Sequence, residues 1–278
     1  MARYDKRAKP VITVGWVTAF VLVVIAVFSV KRFNYSVPQH AAWLRDTPIA
    51  HRGLHNSRFD ENSLGAFTNA ISGGYGIELD VRLTKDGVPV VIHDDNLDRL
   101  FGVDNSVSKI PLADLKELKL PKSGEAVPTF AEAMAHIGGQ VPVLIEVKDF
   151  GLPGKLEAKV LDILEGYEGE YALQSFNPLV CRWLRKRDAK LTVGLLLDDV
   201  PFPKSRYLNN LKDNVFSAIG SPGFIAYNYS VVNDEVVKGY RASDVTVLGY
   251  GLHDDALAGK EYKSYVDNII FELTLDKR

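Results

Sequence analysis

From residue 48 onward, short apolar runs rich in β-branched residues alternate with stretches in which apolar residues recur every three or four positions. Several of the short runs are apolar almost throughout, which is typical of parallel strands buried on both faces. The predicted strands are Pro48–Ala50, Gly76–Leu83, Val141–Lys148, Tyr171–Ser175, Thr192–Leu197, Phe224–Asn228, Val245–Tyr250 and Asn268–Phe271. The predicted helices are Ser63–Ile71, Thr129–Ile137, Leu156–Leu164, Pro178–Arg187, Leu208–Phe216, Asp234–Tyr240 and Ala256–Val266.

This alternation predicts an α/β fold, and within that class a (β/α)₈ TIM barrel over residues 48–278. The alternative is a doubly wound open sheet, which usually carries a glycine-rich phosphate loop after its first strand. In this chain "HRGLHNS" follows the first predicted strand, and it lacks that glycine pattern. The barrel is therefore the favoured architecture.

One segment departs from the alternation. The dipeptide Asp86-Gly87 lies between two β-rich runs and predicts a tight hairpin, so that Val88–His93 should pair antiparallel with the second strand. Residues 94–127 then lead to the next predicted helix and include a helical piece, "PLADLKELKL". We expect these residues to form a small subdomain inserted after the second strand.

The N-terminal part of the chain has a different pattern. Val11–Val30 carries no charge, and a helix of its 20 residues would cross the roughly 30 Å hydrocarbon core of a bilayer. The basic segment 1–10 precedes it, so the positive-inside rule favours a cytoplasmic N-terminus and an extracytoplasmic barrel. The alternative is a cleaved signal peptide, but "FSVKRF" is a poor cleavage site. We expect an uncleaved single-pass transmembrane anchor, followed by a linker over residues 31–47.

Composition and charge exclude several classes of protein. The net charge of -2 over 278 residues offers no basic domain of the kind that nucleic-acid binding usually requires. The single cysteine, Cys181, excludes an internal disulfide framework and a multi-cysteine metal site. No G-x-S-x-G motif is present, which argues against a Ser-His-Asp hydrolase.

Charged side chains cluster where the predicted strands end, and in TIM barrels the carboxyl ends of the strands carry the active site. Glu78 and Asp80 share one face of the second strand, and Glu146 shares a face with Lys148 on the third. Buried carboxylates are costly unless a cation compensates them. Three such acids therefore predict a metal site, and oxygen ligands suit Mg²⁺ or Ca²⁺.

Histidine and basic side chains extend this cluster. His51 and Arg52 follow the first strand directly, and Gly53 behind them would let a ligand approach the backbone closely. His93 ends the hairpin strand, and two imidazoles can serve as general acid and base near neutral pH. Arg52 and Lys148 suit the non-bridging oxygens of a phosphate. Together with one divalent cation, these groups predict cleavage of a phosphodiester.

The motifs resemble those of the glycerophosphodiester phosphodiesterase family in order and approximate spacing, from about Pro48 to Pro178. The matching segments are "AHRG", "DENSLGAF", "IELDVRLTKDGVPVVIHD", "VPTFAEAM", "IEVK" and "LQSFNP". The resemblance implies a (β/α)₈ barrel with a small insertion and metal-dependent hydrolysis of glycerophosphodiesters to glycerol 3-phosphate and an alcohol. It also implies these roles: His51 and His93 as the acid/base pair, Glu78, Asp80 and Glu146 as metal ligands, and Arg52 and Lys148 as phosphate contacts.

Other residues are candidates for lining the site, and some depart from the family pattern. The candidates are Glu61, Asn62, His55, Phe176, Tyr250 and His253. Family members often carry Trp-Thr-x-Asn on the seventh strand, whereas this chain has "LGYGLHDDA", with Tyr250 and His253 in the Trp and Asn places. The alcohol that leaves is therefore open. A lysophospholipase D-type or polyglycerol-phosphate hydrolase at the membrane surface, and a barrel that binds phosphorylated ligands without turnover, are alternatives. The sequence also leaves open the oligomeric state and whether water or a substrate hydroxyl attacks phosphorus.

Overall fold

Nine strands form one sheet in the computed structural model, which describes residues 41–198, 206–230, 234–259 and 261–273. The strands are β1 (Ile49–Ala50), β2 (Gly76–Leu83), β3 (Pro89–Val91), β4 (Val143–Val147), β5 (Tyr171–Ser175), β6 (Val193–Leu197), β7 (Phe224–Asn228), β8 (Thr246–His253) and β9 (Asn268–Glu272). All except β3 pair in parallel around a ring, and β9 pairs with β1 to close it. The predicted eight-stranded barrel is confirmed for the described part of the chain.

Most helices follow barrel strands and cover the outside of the ring, a short helix precedes β1, and two short helices lie in the insertion. They are α1 (Trp43–Asp46), α2 (Leu64–Gly73), α3 (Asp98–Phe101), α4 (Leu112–Glu117), α5 (Phe130–Ile137), α6 (Lys155–Leu164), α7 (Pro178–Arg187), α8 (Arg206–Gly220), α9 (Asp234–Arg241) and α10 (Asp255–Gly259). Local signals set several of their starts: the Ser63 hydroxyl accepts from the Ala66 N–H, and Thr129 and Glu132 form a capping box.

The last predicted helix, Ala256–Val266, is wrong as a continuous element. The structure has the short α10 and then a 3₁₀ turn over Glu261–Ser264. Gly259 ends α10, and glycine is among the residues that least favour a helix interior. Tyr262 and Val266 are nevertheless buried, so the segment still covers the barrel.

The hairpin and the insertion are as predicted. β3 pairs antiparallel with β2, and Gly87 has a φ of +77°, which a tight turn requires and glycine tolerates best. Residues 94–127 contain α3, a 3₁₀ turn and α4. The insertion and β3 share a hydrophobic cluster of their own: Val90, Ile92, Leu97, Val107, Ile110, Leu115, Leu120 and Val127.

The predicted linker over residues 31–47 ends earlier than expected, because residues 41–47 belong to the barrel. Trp43 and Leu44 of α1 are buried in the same cluster as the barrel interior. Asn268, the first residue of β9, donates from Nδ2 to the carbonyls of Leu44 and Thr47 at 3.1 and 2.6 Å. These contacts place α1 at the amino ends of the strands, opposite the predicted active site.

The predicted transmembrane span, Val11–Val30, lies outside the described residues, as does the basic segment before it. Among the described helices, none is both long enough and apolar enough to cross a membrane. The anchor therefore stays a prediction from sequence.

Candidate active site

Three carboxylates meet inside the barrel at the carboxyl ends of two neighbouring strands. Glu78 and Asp80 lie on β2 and Glu146 on β4, and the strand register sets Asp80 beside Glu146. One oxygen from each lies within 4.8 Å of the others, and all three residues are buried. The predicted acidic cluster is thus brought together, because parallel strands in register present their alternate side chains to the same face.

The electrostatics of this cluster favour a cation. Burial, followed by the charges of Asp80 and Glu146, raises the pKa of Glu78 well above its ordinary value. Burial also raises the pKa of Glu146 to about 7, although Lys148 opposes the shift. Burial would raise the pKa of Asp80 as well, but Lys148, His93 and Arg52 outweigh it and hold that pKa well below the usual range.

The donor set fits a hard divalent cation. Asp80 Oδ1 is buried and forms an ion pair with Lys148 Nζ at 3.1 Å, without a hydrogen bond of regular geometry. Three carboxylates that are buried together are unfavourable unless cations compensate them. Three oxygen ligands with no sulfur match the preference of Mg²⁺ and Ca²⁺, and nothing in the arrangement distinguishes the two ions.

Two cationic side chains border the carboxylates. Lys148 Nζ lies 2.6 Å from Glu146 Oε1. Burial alone would lower the pKa of Lys148, but Asp80 and Glu146 outweigh it and raise that pKa, so the ammonium stays charged. The Arg52 guanidinium donates to Glu61 at 2.9 Å, and its Nε lies 3.6 Å from Asp80 Oδ2. Arg52 and Lys148 are therefore both cations beside the acidic cluster, and their contact with phosphate stays a prediction.

The turn after β1 is strained in a way that serves the site. Arg52 has a φ of +57° and Asn62 a φ of +56°, a region that non-glycine residues rarely adopt. The Arg52 N–H donates to Glu78 Oε2 at 2.9 Å, and the Asn62 N–H donates to the Arg52 carbonyl at 2.9 Å. These hydrogen bonds hold the turn and fix Glu78 against it.

Gly53 has a structural role in the packing of α2 against the turn. Its φ is +75°, and a Cβ there would lie 2.8 Å from the Phe67 ring and 3.0 Å from the backbone of Ala66. Glycine at this position thus permits a close approach of α2, which packs directly under the turn. The predicted approach of a ligand stays a prediction.

Each predicted catalytic histidine has a carboxylate on its Nδ1. His51 Nδ1 lies 2.6 Å from Glu272 Oε1, and His93 Nδ1 lies 2.6 Å from Asp94 Oδ1. A carboxylate on Nδ1 favours the tautomer with a proton there, which leaves Nε2 as the atom for proton transfer. His51 Nε2 lies 3.9 Å from Glu78 Oε2, so it points toward the acidic cluster.

The sequence patterns did not indicate Glu272. The predicted eighth strand ended at Phe271, one residue early, whereas β9 extends through Glu272 at the mouth. The hydrogen bond from His51, with a smaller contribution from its charge, lowers the pKa of Glu272 to about 2 against the effect of burial. The sequence did contain one signal for this residue, which is a glutamate directly after the predicted last strand.

Glu61 and Asn62 organise the site and are not part of the three-carboxylate cluster. Glu61 accepts from Arg52 and from Arg99 of α3, the latter from Nη1 at 3.0 Å. Arg99 also pairs with Asp94, the partner of His93, and so joins the insertion to Glu61 and to the carboxylate that supports His93. Asn62 Nδ2 donates to Asp80 Oδ2 at 2.8 Å and so orients that carboxylate.

The remaining candidates lie at the mouth, with different exposure. Phe176 and Tyr250 form an edge-to-face ring pair with centroids 6.3 Å apart, and the Tyr250 hydroxyl donates to the Leu197 carbonyl at 3.0 Å. His55 is partly buried, and burial lowers its pKa while Glu272 opposes the shift. His253 follows a register shift in β8, and its side chain is exposed. The aromatic pair is part of the site's wall, whereas His253 lies on its outer edge.

Comparisons with known proteins agree with this geometry. The sequence profile of the Glycerophosphoryl diester phosphodiesterase family matches residues 51–272. A glycerophosphodiester phosphodiesterase of Caldanaerobacter subterraneus is 37% identical over 161 residues, which cover 53% of this chain and 65% of that protein. The uncharacterized Bacillus subtilis protein YqiK is 30% identical over 73% of this chain and 84% of its own length. Among solved structures, an Oleispira antarctica phosphodiesterase in complex with the product sn-glycerol-3-phosphate is 26% identical, with a TM-score of 0.70 over 84% of this chain and 94% of that one.

Proposed function

Because the chain belongs to the glycerophosphoryl diester phosphodiesterase family, we propose that it hydrolyses glycerophosphodiesters to glycerol 3-phosphate and an alcohol in a reaction that depends on a divalent metal ion. The observation that carries the proposal is the convergence of three buried carboxylates with two histidines, each backed by a carboxylate on Nδ1. The relatives named as glycerophosphodiester phosphodiesterases, and the neighbour that binds sn-glycerol-3-phosphate, support the substrate class.

In the proposed mechanism, the charged groups place the phosphate and the histidines move protons. Arg52 and Lys148 bind the non-bridging oxygens, Arg through its planar fork and Lys as a point charge. A cation held by Glu78, Asp80 and Glu146 would supply further positive charge to offset the negative charge that develops on these oxygens.

The two histidines divide the proton transfers between them. One Nε2 accepts the proton of the attacking hydroxyl as its oxygen bonds to phosphorus, and the other donates a proton to the alcohol oxygen as its bond to phosphorus breaks. Glu272 and Asp94 stabilise the imidazolium that forms at their histidine and keep each ring in one orientation. We propose the two histidines as one acid–base pair.

The proposal is tested by turnover of the full-length chain purified in detergent. With glycerophosphocholine as substrate and Mg²⁺ or Ca²⁺ present, we expect release of glycerol 3-phosphate and choline, which coupled enzyme assays measure. Phosphorus NMR of the products distinguishes attack by water from attack by a substrate hydroxyl, because the latter gives a cyclic phosphate. Binding of the diester without product during long incubation would instead favour the non-catalytic alternative.

The alternative substrates remain proposals that the same assay can compare. Tyr250 and His253 replace the Trp and Asn that family members often carry, and Tyr250 lies in the wall of the site, so the pocket for the alcohol or glycerol differs from the family pattern. A panel of glycerophosphocholine, a lysophospholipid and a polyglycerol phosphate, compared by kcat/KM, decides between them.

We also propose that Val11–Val30 anchors the protein in a membrane, with the N-terminus in the cytoplasm and the barrel outside it. The uncharged run of 20 residues and the basic residues before it support this placement. Protease added to intact cells should then degrade the barrel. If the barrel is degraded only after the cells are lysed, the orientation is wrong.

Glu272→Gln is expected to lower kcat on the order of 100-fold while KM changes little, because the substitution removes the charge that stabilises the His51 imidazolium but not a group that touches substrate. Steady-state kinetics on glycerophosphocholine measure the effect. Glu165→Gln, an exposed acid directly after α6, is the matched control. Equal kcat values for the two variants would show that Glu272 does not position His51.

A further inference from the structure

Exposed apolar side chains gather on one side of the barrel mouth. Phe150 is 69% exposed, Leu152 87% and Leu179 42%, and they make up three of the four large hydrophobic side chains exposed among the described residues. Phe150 and Leu152 follow β4, and Leu179 begins α7 after the neighbouring strand β5. These three residues are called the rim patch below.

The rim patch is built on an ordered loop. Asn177 Nδ2 donates to the carbonyls of Asp149 and Gly151 at 3.0 Å each, so the loop after β4 is joined to the start of α7. The Gly154 N–H donates to the buried Glu157 at 2.6 Å and fixes the far end of the loop on α6. The fold therefore holds apolar side chains in water at a cost that a partner would remove.

The rim patch is next to the candidate site. Leu152 and Lys148 line the same cavity of about 370 Å³, which runs between the insertion and the loop after β4. Lys148 in turn contacts Asp80 and Glu146 through Nζ, at 3.1 and 2.6 Å, so this one residue joins the cavity to the acidic cluster. The patch therefore lies beside the candidate site and not on a remote face of the barrel.

Basic residues predominate on the helix beside the patch, whereas the adjoining loop carries one acid, Asp149. The segment Pro178–Arg187 contains four basic residues and no acid. Arg182 and Lys186 are exposed, and they lie three and seven positions after Leu179, which places all three on one face of α7. Apolar side chains at the tip with cations behind them form the arrangement that interfacial membrane binding uses.

The chain before the described residues permits this contact. Ten residues separate Val30, the end of the uncharged run, from Ala41, and ten residues span at most roughly 33–36 Å. The longest barrel strands have eight residues, which corresponds to a height of about 26 Å. The maximum length of this segment therefore exceeds the length of the longest barrel strands.

We propose that the rim patch docks the barrel mouth on the surface of an anionic lipid bilayer. The proposal deepens the proposed function, because it makes diesters that are dissolved in or bound to the membrane the favoured substrates. The test below measures contact with lipid and requires no turnover. Failure of the docking proposal can therefore be distinguished from failure of the proposed enzymatic function.

The test follows a polarity-sensitive fluorophore in full-length protein reconstituted into phosphatidylcholine vesicles, with and without phosphatidylglycerol. The label is attached to Leu152→Cys, and Cys181 is buried and does not compete for it. The control label is attached to Lys190→Cys, an exposed position before β6. Spin-labelled lipid should quench the label at 152 at least about 3-fold more than the label at 190 when phosphatidylglycerol is present.

Substitutions then distinguish the contribution of the apolar side chains from that of the basic residues on α7. Phe150→Ser with Leu179→Ser should abolish the extra quenching at 152, whereas Tyr265→Ser, an exposed ring outside the patch, should not. Arg182→Gln with Lys186→Gln should reduce the quenching only in vesicles that contain phosphatidylglycerol. Turnover of water-soluble glycerophosphocholine should be the same in all of these variants.

Two results overturn the proposal. One is equal quenching at 152 and 190 in both kinds of vesicle. The other is formation of a disulfide between two copies of the Leu152→Cys protein without quenching by lipid, which would make the patch a contact between copies of this chain. If the unsubstituted protein does not hydrolyse glycerophosphocholine, the proposed function is contradicted, but the result of the docking test still holds.

Discussion

His51→Ala is expected to lower kcat by about 10²–10⁴-fold, the contribution of a well-placed general acid or base. The imidazole lies at the mouth with Nδ1 held by Glu272 and Nε2 3.9 Å from Glu78, so it can transfer a proton only through Nε2. Alanine removes that atom without adding bulk or charge. Steady-state turnover of glycerophosphocholine measures the loss.

His93→Ala should have an effect of similar size, because His93 has the same arrangement with Asp94. The double variant should lose little more than either single variant, since two groups that act in one step are not additive. His136→Ala is the control: His136 is exposed on α5 and contacts Thr68 at 2.9 Å. Activity of His51→Ala within about 3-fold of the unsubstituted protein would contradict general acid–base catalysis by this residue.

Removal of the metal ion is the second change with a large expected effect. A chelator should abolish turnover, and Asp80→Asn should lower it by about 10²-fold or more while weakening metal binding. Asp80 is the carboxylate with the lowest pKa of the three and lies between Lys148 and Arg52, so its charge would link a bound cation to the two side chains that are proposed to bind phosphate. Asp162→Asn, an exposed acid on α6, is the matched control.

The metal ion should also stabilise the folded protein more above neutral pH than in mild acid. The pKa values of Glu78 and Glu146 are raised in the folded state, that of Glu146 to about 7, so the metal-free native state binds protons more tightly than the unfolded chain. Its stability therefore falls as pH rises from the ordinary carboxyl pKa toward about 7. A cation competes with those protons, and its binding releases them.

Thermal unfolding with and without Mg²⁺ or Ca²⁺ tests this linkage. At a concentration of 100 times Kd the ion should contribute about 2.7 kcal/mol, which corresponds to a rise in Tm of roughly 5–10 °C for a domain of this size. We expect the full rise above neutral pH and a smaller one in mild acid. A rise that is equal at both pH values, or larger in acid, would show that the raised pKa values do not belong to the metal ligands.

The barrel and most of the candidate site could be predicted from sequence because their signals are local. Continuous apolar runs indicated the parallel strands, Asp86-Gly87 indicated the hairpin, and period-two spacing set Glu78 and Asp80 on one face. The helix ending at Val266 was wrong where a glycine interrupts a weak periodic pattern. The predicted linker was too long because α1 has only four residues, which are too few to show the hydrophobic periodicity of a helix.

Other features depended on contacts between residues distant in sequence. Glu272 meets His51 across 221 positions, and Arg99 meets Glu61 across 38. Gly53 is needed for the approach of α2, and no pattern near it distinguishes that contact from one with a ligand. The rim patch joins residues after two different strands through Asn177.

The sequence by itself determined the class of fold, the order of its strands and the chemical groups at their ends, because alternation and periodicity dictate which way a side chain points along one element. Only the tertiary structure decided which carboxylate supports which histidine, which oxygen of Asp80 pairs with Lys148, and which apolar residues remain in water. Closure of the ring brings β9 beside β1 and so sets Glu272 against His51, and the contact of Arg99 with Glu61 holds the insertion beside the mouth. Charge interactions and burial depend on distances of a few ångströms between elements, and the linear sequence pattern does not contain those distances.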